Sequence, residues 1–310
     1  MMKIALTGGA GFIGSHIADA YINLGHEVVI IDNLSTGRLE NINPSARFIN
    51  ADINSSDIPE LFNDEKFDIL NHQAAQIDVR ISVKDPKYDA STNIIGSLNL
   101  YEACKNSGVK KIIFSSTGGA IYGEQDYFPA DEQHPLRPCS PYGIAKLVNE
   151  KYLYYYKEIF GIDHVILRYA NVYGPRQNPL GEAGVIAIFI NKMLNGEQPV
   201  INGDGKNTRD YVYVSDIVKG NVFALSNKMS GIYNLSTALE TDVNQIFYKI
   251  NQFLGTKFTE FHGEAKLGEQ KRSVCSFEKI HQSFNWSPEV NLDDGLKKTI
   301  DFFKQKLQNI

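Results

Sequence analysis

TGGAGFIG, Thr7 to Gly14, follows the apolar run Ile4-Ala5-Leu6 and precedes an apolar-periodic stretch that predicts a helix from about Ile13 to Leu24. Gly8, Gly11 and Gly14 fall at GxxGxxG spacing. Gly8 allows a tight strand-to-helix turn, Gly11 lets backbone approach a pyrophosphate, and Gly14 lets the helix lie close on the strand. The helix start, at Phe12 and Ile13, offers free N–H groups and a positive dipole end to phosphates. The next strand, Glu27 to Ile31, ends at Asp32, with Asn33 beside it. An acid there takes two ribose hydroxyls and repels a 2′-phosphate, so the reading favours NAD over NADP. A glycine-rich turn that binds nothing leaves Asp32 and the flanking elements unexplained.

Outward from this turn, short apolar runs recur at Phe48–Ile49, Ile69–Leu70, Ile112–Phe114 and Val165–Leu167, with helical stretches between them. That alternation predicts an α/β fold: a parallel sheet with helices on both faces. The 310 residues carry 31 Lys plus Arg against 36 Asp plus Glu, a net charge of −5, which argues against a nucleic-acid partner. Cys104, Cys139 and Cys275 are scattered without metal spacing, so a reduced, cytoplasmic compartment and packing roles are expected. The chain enters its first strand at once, and an absence of signal peptide and membrane span is expected.

The strand ends carry the polar residues. Asp52-Ile53 follows the third strand and reads either as an adenine clamp or as a helix cap. His72 to Pro86, HQAAQIDVRISVKDP, supplies Ala74 and Ala75, small enough for close backbone approach to a cofactor, and the polar groups Arg80 and Ser82. His72 reads as a hydrogen-bonded structural residue rather than a base. A long helix is predicted over Lys87 to Asn106, stopping at Gly108. Asn93 inside it is placed to turn its amide toward a neighbouring loop, on the cofactor side. The fifth strand ends in Ser115, Ser116 and Thr117, and alternation sets Ser115 and Thr117 on one face. SPYGIAK, Ser140 to Lys146, opens a helix on which Tyr142 and Lys146 share a face, four residues apart. A phenol titrates near ~10. A neighbouring ammonium and a cationic nicotinamide both favour the phenolate, which makes Tyr142 an acid/base for a sugar or steroid hydroxyl. Lys146 also reaches the nicotinamide ribose. The Tyr152 to Tyr156 cluster reads as a packing or dimer face.

Together, TGGAGFIGSH, HQAAQIDVRISVKDP, SSTGGAIYGE, PYGIAK, LRYANVYGPRQ and GDGKNTRDYVYVSDI resemble, in order and spacing, the extended short-chain dehydrogenase/reductases. Within them, the match is to nucleotide-sugar epimerases of the UDP-glucose 4-epimerase group. The resemblance implies a Rossmann doubly wound sheet (1–172 plus about 210–235) and a smaller, mostly helical C-terminal substrate domain (about 173–209 and 236–310). It implies a UDP-sugar substrate, a C4 epimerisation through a 4-keto sugar, and homodimers built from helices near 87–106 and 141–159. It places the catalytic hydroxyl on Thr117, with Ser116 adjacent, the base on Tyr142 and the lysine on Lys146. Asn171 would contact sugar and Arg209 the diphosphate. The helix start at Gly184 and Val185 would line the sugar pocket. Farther on, Glu269 would bind the nucleotide ribose, and Arg272 would replace the arginine more usual at Lys266. Ser273 would stand as a small gatekeeper that admits N-acetyl sugars. Dehydratases on this scaffold follow the threonine with Asp–Glu. Here Gly118-Gly119 follows, so elimination lacks its acid and base, and decarboxylation is disfavoured too. Rival readings are a uronate 4-epimerase, a 4-keto reductase and a non-catalytic NAD sensor.

Overall fold

Seven of the strands assemble one parallel sheet because their sequences are apolar on both faces. The computed structural model describes residues 1–180, 184–265 and 270–308. Along the chain run β1 (Lys3–Thr7), β2 (Glu27–Asp32), β3 (Arg47–Asn50), β4 (Ile69–His72), β5 (Lys111–Thr117) and β6 (Asp163–Tyr169). The short β7 (Asn171–Tyr173), β8 (Ile201–Asn202), β9 (Thr208–Arg209) and β10 (Tyr211–Tyr213) follow, then β11 (Gly231–Leu235). The sheet order is β11-β6-β5-β4-β1-β2-β3, every pair parallel. Successive crossovers leave β1 in opposite directions, so the crevice opens at the carboxyl ends of β1 and β4.

The helices are α1 (Phe12–Asn23), α2 (Ile58–Glu65), α3 (Val79–Lys84), α4 (Pro86–Ala90), α5 (Gly96–Ser107), α6 (Pro141–Phe160), α7 (Val185–Leu194) and α8 (Val214–Ala224). Period-two alternation divides β1 between two cores. Ile4 and Leu6 pack with Ile17 and Tyr21 of α1 and Ile217 of α8. Ala5 faces the other way, with Phe62 of α2, Leu100 of α5 and Leu153 of α6. β12 (Thr241–Asp242), α9 (Val243–Leu254), β13 (His262–Gly263), β14 (Arg272–Ser273), α10 (Glu278–Phe284) and α11 (Leu292–Gln308) complete the chain. A third core joins Phe189 of α7, Phe247 of α9 and Ile300 of α11.

One local expectation changes. The helix predicted over Lys87–Asn106 is interrupted by a π-helical turn, Ser91–Ile95, between α4 and α5. The wide turn lets Asn93 spend both ends of its amide on the backbone of Gln76. No helix among the described residues is long and apolar enough to cross a membrane.

Candidate active site

A cleft of about 1550 Å³ crosses the carboxyl ends of the sheet. At its floor Gly8 has φ +69°, and a Cβ there would stand 2.7 Å from Ala74 N. A Cβ on Gly14 would stand 2.2 Å from Gly8 O, whereas one on Gly11 meets only Gly8 O, at 3.2 Å. The first helical bond of α1 runs from Ser15 N to Gly11 O, so the N–H groups of Phe12, Ile13 and Gly14 precede it. Ala74 and Ala75 line the cleft beside this floor, Ala74 N donating to Thr7 Oγ1 at 3.2 Å.

Asp32 lines the same cleft and is nearly buried. Its carboxylate accepts from Ala10 N at 3.0 Å and Leu34 N at 2.8 Å. Burial pushes this carboxyl above its ordinary range, and the two backbone donors oppose the rise. Asn33 donates to Asp52 at 2.7 Å, and Asp52 also accepts from Asn54 N. Asp52 therefore closes a local turn, and Asp57 is the N-cap of α2, so the helix-cap reading of Asp52 fails. Asp52 and Ile53 line the cleft.

His72 is structural. The Ser97 hydroxyl is spent on Asn93 O, so His72 Nε2–H donates to Ser97 and Nδ1 accepts from Thr7. Burial drops its pKa to about 3, which keeps it neutral.

Strand alternation sorts the hydroxyls at the end of β5. Ser115 Oγ donates to His72 O, while Ser116 Oγ donates to Glu150 Oε1 at 2.6 Å, on the other face. Ser116 and Thr117 both line the cleft, but the Ser116 hydroxyl is engaged by Glu150, which leaves Thr117 as the catalytic hydroxyl candidate. The Ser140 side chain accepts from Gly143 N and starts α6, whose first turns carry Tyr142 and Lys146 on that wall. Lys146 Nζ donates to Ser115 O at 2.8 Å and lies 5.7 Å from the Tyr142 ring centroid. In the ligand-free chain desolvation outweighs the effect expected of the neighbouring ammonium. Burial pushes the Tyr142 phenol up and drops Lys146 to about 7. Without a cationic ligand the pair is a neutral acid beside a weakly held proton.

Close to Thr117, both within 4 Å of a Cβ placed on Gly119, Asn171 has a buried Oδ1 with no hydrogen-bond partner among the described residues. A buried acceptor left open is costly unless a ligand fills it. Arg209, Gly184 and Val185 line the cleft beyond it. A Cβ on Gly118 would sit 2.8 Å from Cys275 Sγ and 3.3 Å from Tyr169 O. The position after Thr117 therefore has no room for a carboxylate side chain while Cys275 stays in place.

The chain matches the model of the NAD dependent epimerase/dehydratase family over residues 4–236. It belongs to that family. It is similar to the UDP-glucose 4-epimerase of Mycolicibacterium smegmatis, at 40% identity over 99% of this chain and 100% of that one. The crystal structure of Thermotoga maritima UDP-glucose 4-epimerase with UDP-glucose superposes with TM-score 0.97, at 45% identity over 99% of this chain and all of that one. That of the Thermus thermophilus UDP-glucose 4-epimerase complex with NAD gives TM-score 0.94, at 40% identity over 98% and 99% of the two chains.

The residues present fit this family's dinucleotide: the space at Gly11, the free N–H groups of α1 and the carboxylate of Asp32 are set for a pyrophosphate and an unphosphorylated ribose. Four residues expected at the site from the sequence lie off the wall. Asn93 stands behind the loop it holds, bonded to Gln76 and Asp89. Ser82 turns its hydroxyl to Val79 O within α3. Arg272 stacks 3.6 Å over the Phe128 ring and donates to Glu240, so its guanidinium is engaged elsewhere. Ser273 is buried where β14 pairs with Arg209 and is not among the residues lining the cleft. Glu269 and Lys266 lie outside the described residues. Sequence reasoning passed over Gln177, whose Oε1 is buried without a partner among the described residues and which lines the cleft. Its only signal was its place at the end of LRYANVYGPRQ.

Proposed function

We propose that this chain interconverts UDP-glucose and UDP-galactose by inverting the configuration at C4 of the sugar. The observation that carries this reading is the Tyr142–Lys146 pair on the cleft wall, tied to the end of β5 through Ser115 O. NAD, held by the N–H groups of α1 and by Asp32, supplies the hydride acceptor and the positive charge that favours a phenolate. Tyr142 takes the proton of the sugar 4-hydroxyl and later returns it. Lys146, oriented by Ser115 O, stabilises the phenolate that forms. Thr117 donates to the same sugar oxygen. Asn171 offers its open amide oxygen to a sugar hydroxyl, and Arg209 holds the diphosphate through its planar charged fork.

Elimination is disfavoured by the packing of Cys275 against Gly118, which leaves no place for the carboxyl that water removal needs. The N-acetyl extension rested on Ser273. With that residue buried beside Arg209, the proposal is for plain hexoses.

The test is turnover of UDP-galactose to UDP-glucose by purified protein, read by NMR, with no net change in nicotinamide absorbance. Tyr142→Phe keeps the ring and removes the hydroxyl. It is expected to lose at least about a hundredfold in kcat while the dinucleotide stays bound. Wild-type turnover in that variant, or stoichiometric consumption of reduced cofactor, overturns the reading.

A further inference from the structure

We propose that Asp210 is the positioning residue of the diphosphate contact: it fixes the strand that presents Arg209 without touching a ligand itself. The inference rests on the reading of Arg209 as that contact. Arg209 and Tyr211 line the cleft, whereas Asp210, between them, does not and is 1% exposed. Side chains alternate along extended backbone, which accounts for the difference. Arg209 stands on the middle strand of the sheet β12-β9-β14, opposite Thr241 on one side and Ser273 on the other. Each of these strands is two residues long. Ladders so short supply few bonds, so more than strand pairing has to hold the arginine in place. Its guanidinium donates to Thr208 O, its own neighbour, at 2.8 Å, a bond that turns the side chain without anchoring the strand.

The Asp210 carboxylate supplies the anchor. Oδ1 accepts from Thr237 N at 2.9 Å and from Thr237 Oγ1 at 2.6 Å. Oδ2 accepts from Ala238 N at 3.0 Å and from Cys275 N at 3.4 Å. Thr237 and Ala238 lie on the loop that leads from β11 into β12, and Cys275 lies two residues past β14. One carboxylate therefore grips the segments that carry both neighbours of β9. Ala238 has φ +59°, a conformation costly for alanine, and its N–H and that of Thr237 both donate to the carboxylate, as in a backbone anion nest. A carboxylate offers about four acceptor lone pairs, and these donors use them. The main chain of Asp210 adds to the grip. Its N–H donates to Ser273 O at 3.0 Å, and its carbonyl accepts from Asn171 N at 2.8 Å. Arg209 is thereby tied to the strand that carries Asn171.

The other buried acids are committed elsewhere. Glu65, Asp78 and Glu150 pair with Lys3, Arg80 and Arg168. Asp32 belongs to the dinucleotide cradle, and Asp89 accepts from the side-chain amides of Gln76 and Asn93. Asp216 accepts from Glu289 N and Val290 N, which holds α8 to the segment before α11. Asp210 differs from all of these: it is joined by one peptide bond to a cleft-lining arginine and draws its donors from two other segments.

Asp210→Asn keeps the volume but puts an N–H donor where an acceptor stood, so either the Thr237 pair or the Ala238 and Cys275 pair meets a donor. Calorimetric titration of the holoenzyme with UDP reads the consequence. Kd is expected to rise about tenfold, the scale of one buried group left unpaired. KM for UDP-galactose is expected to rise alike while kcat stays within about threefold, the mark of lost uniform binding. Arg209→Ala is expected to weaken UDP by itself. Adding Asp210→Asn to it is expected to cost nothing further, because the aspartate acts through the arginine. Thr237→Val removes the shortest of the four donors and is expected to raise Kd about threefold, whereas Thr237→Ser keeps the hydroxyl and is expected to leave it in place. That pair carries the test if Asp210→Asn does not fold. Unchanged UDP affinity in Asp210→Asn or, where it does not fold, in Thr237→Val overturns the proposal. Losses that add in the double variant mean a merely structural residue and overturn it too. Arg209→Ala with wild-type UDP affinity fails the parent assignment, whereas a weakened Arg209→Ala beside an unaffected Asp210→Asn fails this inference alone.

Discussion

Arg168 and Glu150 are both almost wholly buried, and their pairing is the residue-scale feature on which the catalytic strand depends. Glu150 also accepts from Ser116, the residue between the carbonyl that holds Lys146 and the hydroxyl of Thr117. Arg168 donates to Tyr122, whose hydroxyl passes the network on to Asn234 at 2.6 Å. A buried pair of this kind adds little net stability over apolar residues of the same volume, but removing one partner strands the other's charge. Glu150→Gln is therefore expected to cost about 3–5 kcal/mol in urea unfolding. Turnover is expected to fall with it, because Ser116 loses its charged acceptor. A cost below about 1 kcal/mol would mean that water or another group solvates Arg168, contrary to its burial.

At the scale of elements, the turn between β1 and α1 makes the sharpest demand on residue type. Gly8 is left-handed, and a methyl there would strike the Ala74 backbone just beyond the end of the neighbouring β4. Gly25, after α1, has φ +80° but nothing within 4 Å of its would-be Cβ. Gly8→Ala is expected to lose bound dinucleotide, read by fluorescence, and to destabilise by more than the ~1 kcal/mol of a strained turn that Gly25→Ala should show. Equal effects at the two sites would mean that only backbone strain matters. The same contrast shows what sequence can carry. The glycine spacing, the strand alternation that turned Ser116 away and the Tyr142–Lys146 spacing are local, and each appeared where its period placed it. What stayed hidden depends on distant packing. Cys275 guards Gly118 across more than 150 residues of chain. Asp89 sits in KDPKYDASTN with no motif around it, and only the fold makes it the buried acceptor of Gln76 and Asn93. Arg272 and Ser273 were placed by alignment, but Glu240, Phe128 and the β14–β9 pairing decide where they lie. Burial likewise pushes the Tyr142 phenol up in the ligand-free chain, because desolvation grows with the whole enclosure rather than with one neighbour.

At the scale of the molecule, α6 has a second face. Ile144, Tyr152, Tyr155 and Ile159 are exposed and fall at offsets of 8, 11 and 15 from the first, one side of the helix. Ile95, on the π-helical turn before α5, is exposed as well. Isolated exposed apolar side chains need no explanation, but a stripe along most of one 20-residue helix does. The proposed homodimer, through helices near 87–106 and 141–159, would cover it. Because α6 begins with Tyr142 and Lys146, such an interface would brace the catalytic helix from behind, away from the cleft. The chain is expected to sediment at twice its own mass at micromolar concentration. Tyr155→Glu combined with Ile159→Glu should yield a monomer that keeps its dinucleotide, since neither residue lines the cleft, but turns over more slowly. A wild-type chain that sediments as a monomer, or a dimer unmoved by both charges, would place any self-association on another face and leave this stripe without a partner.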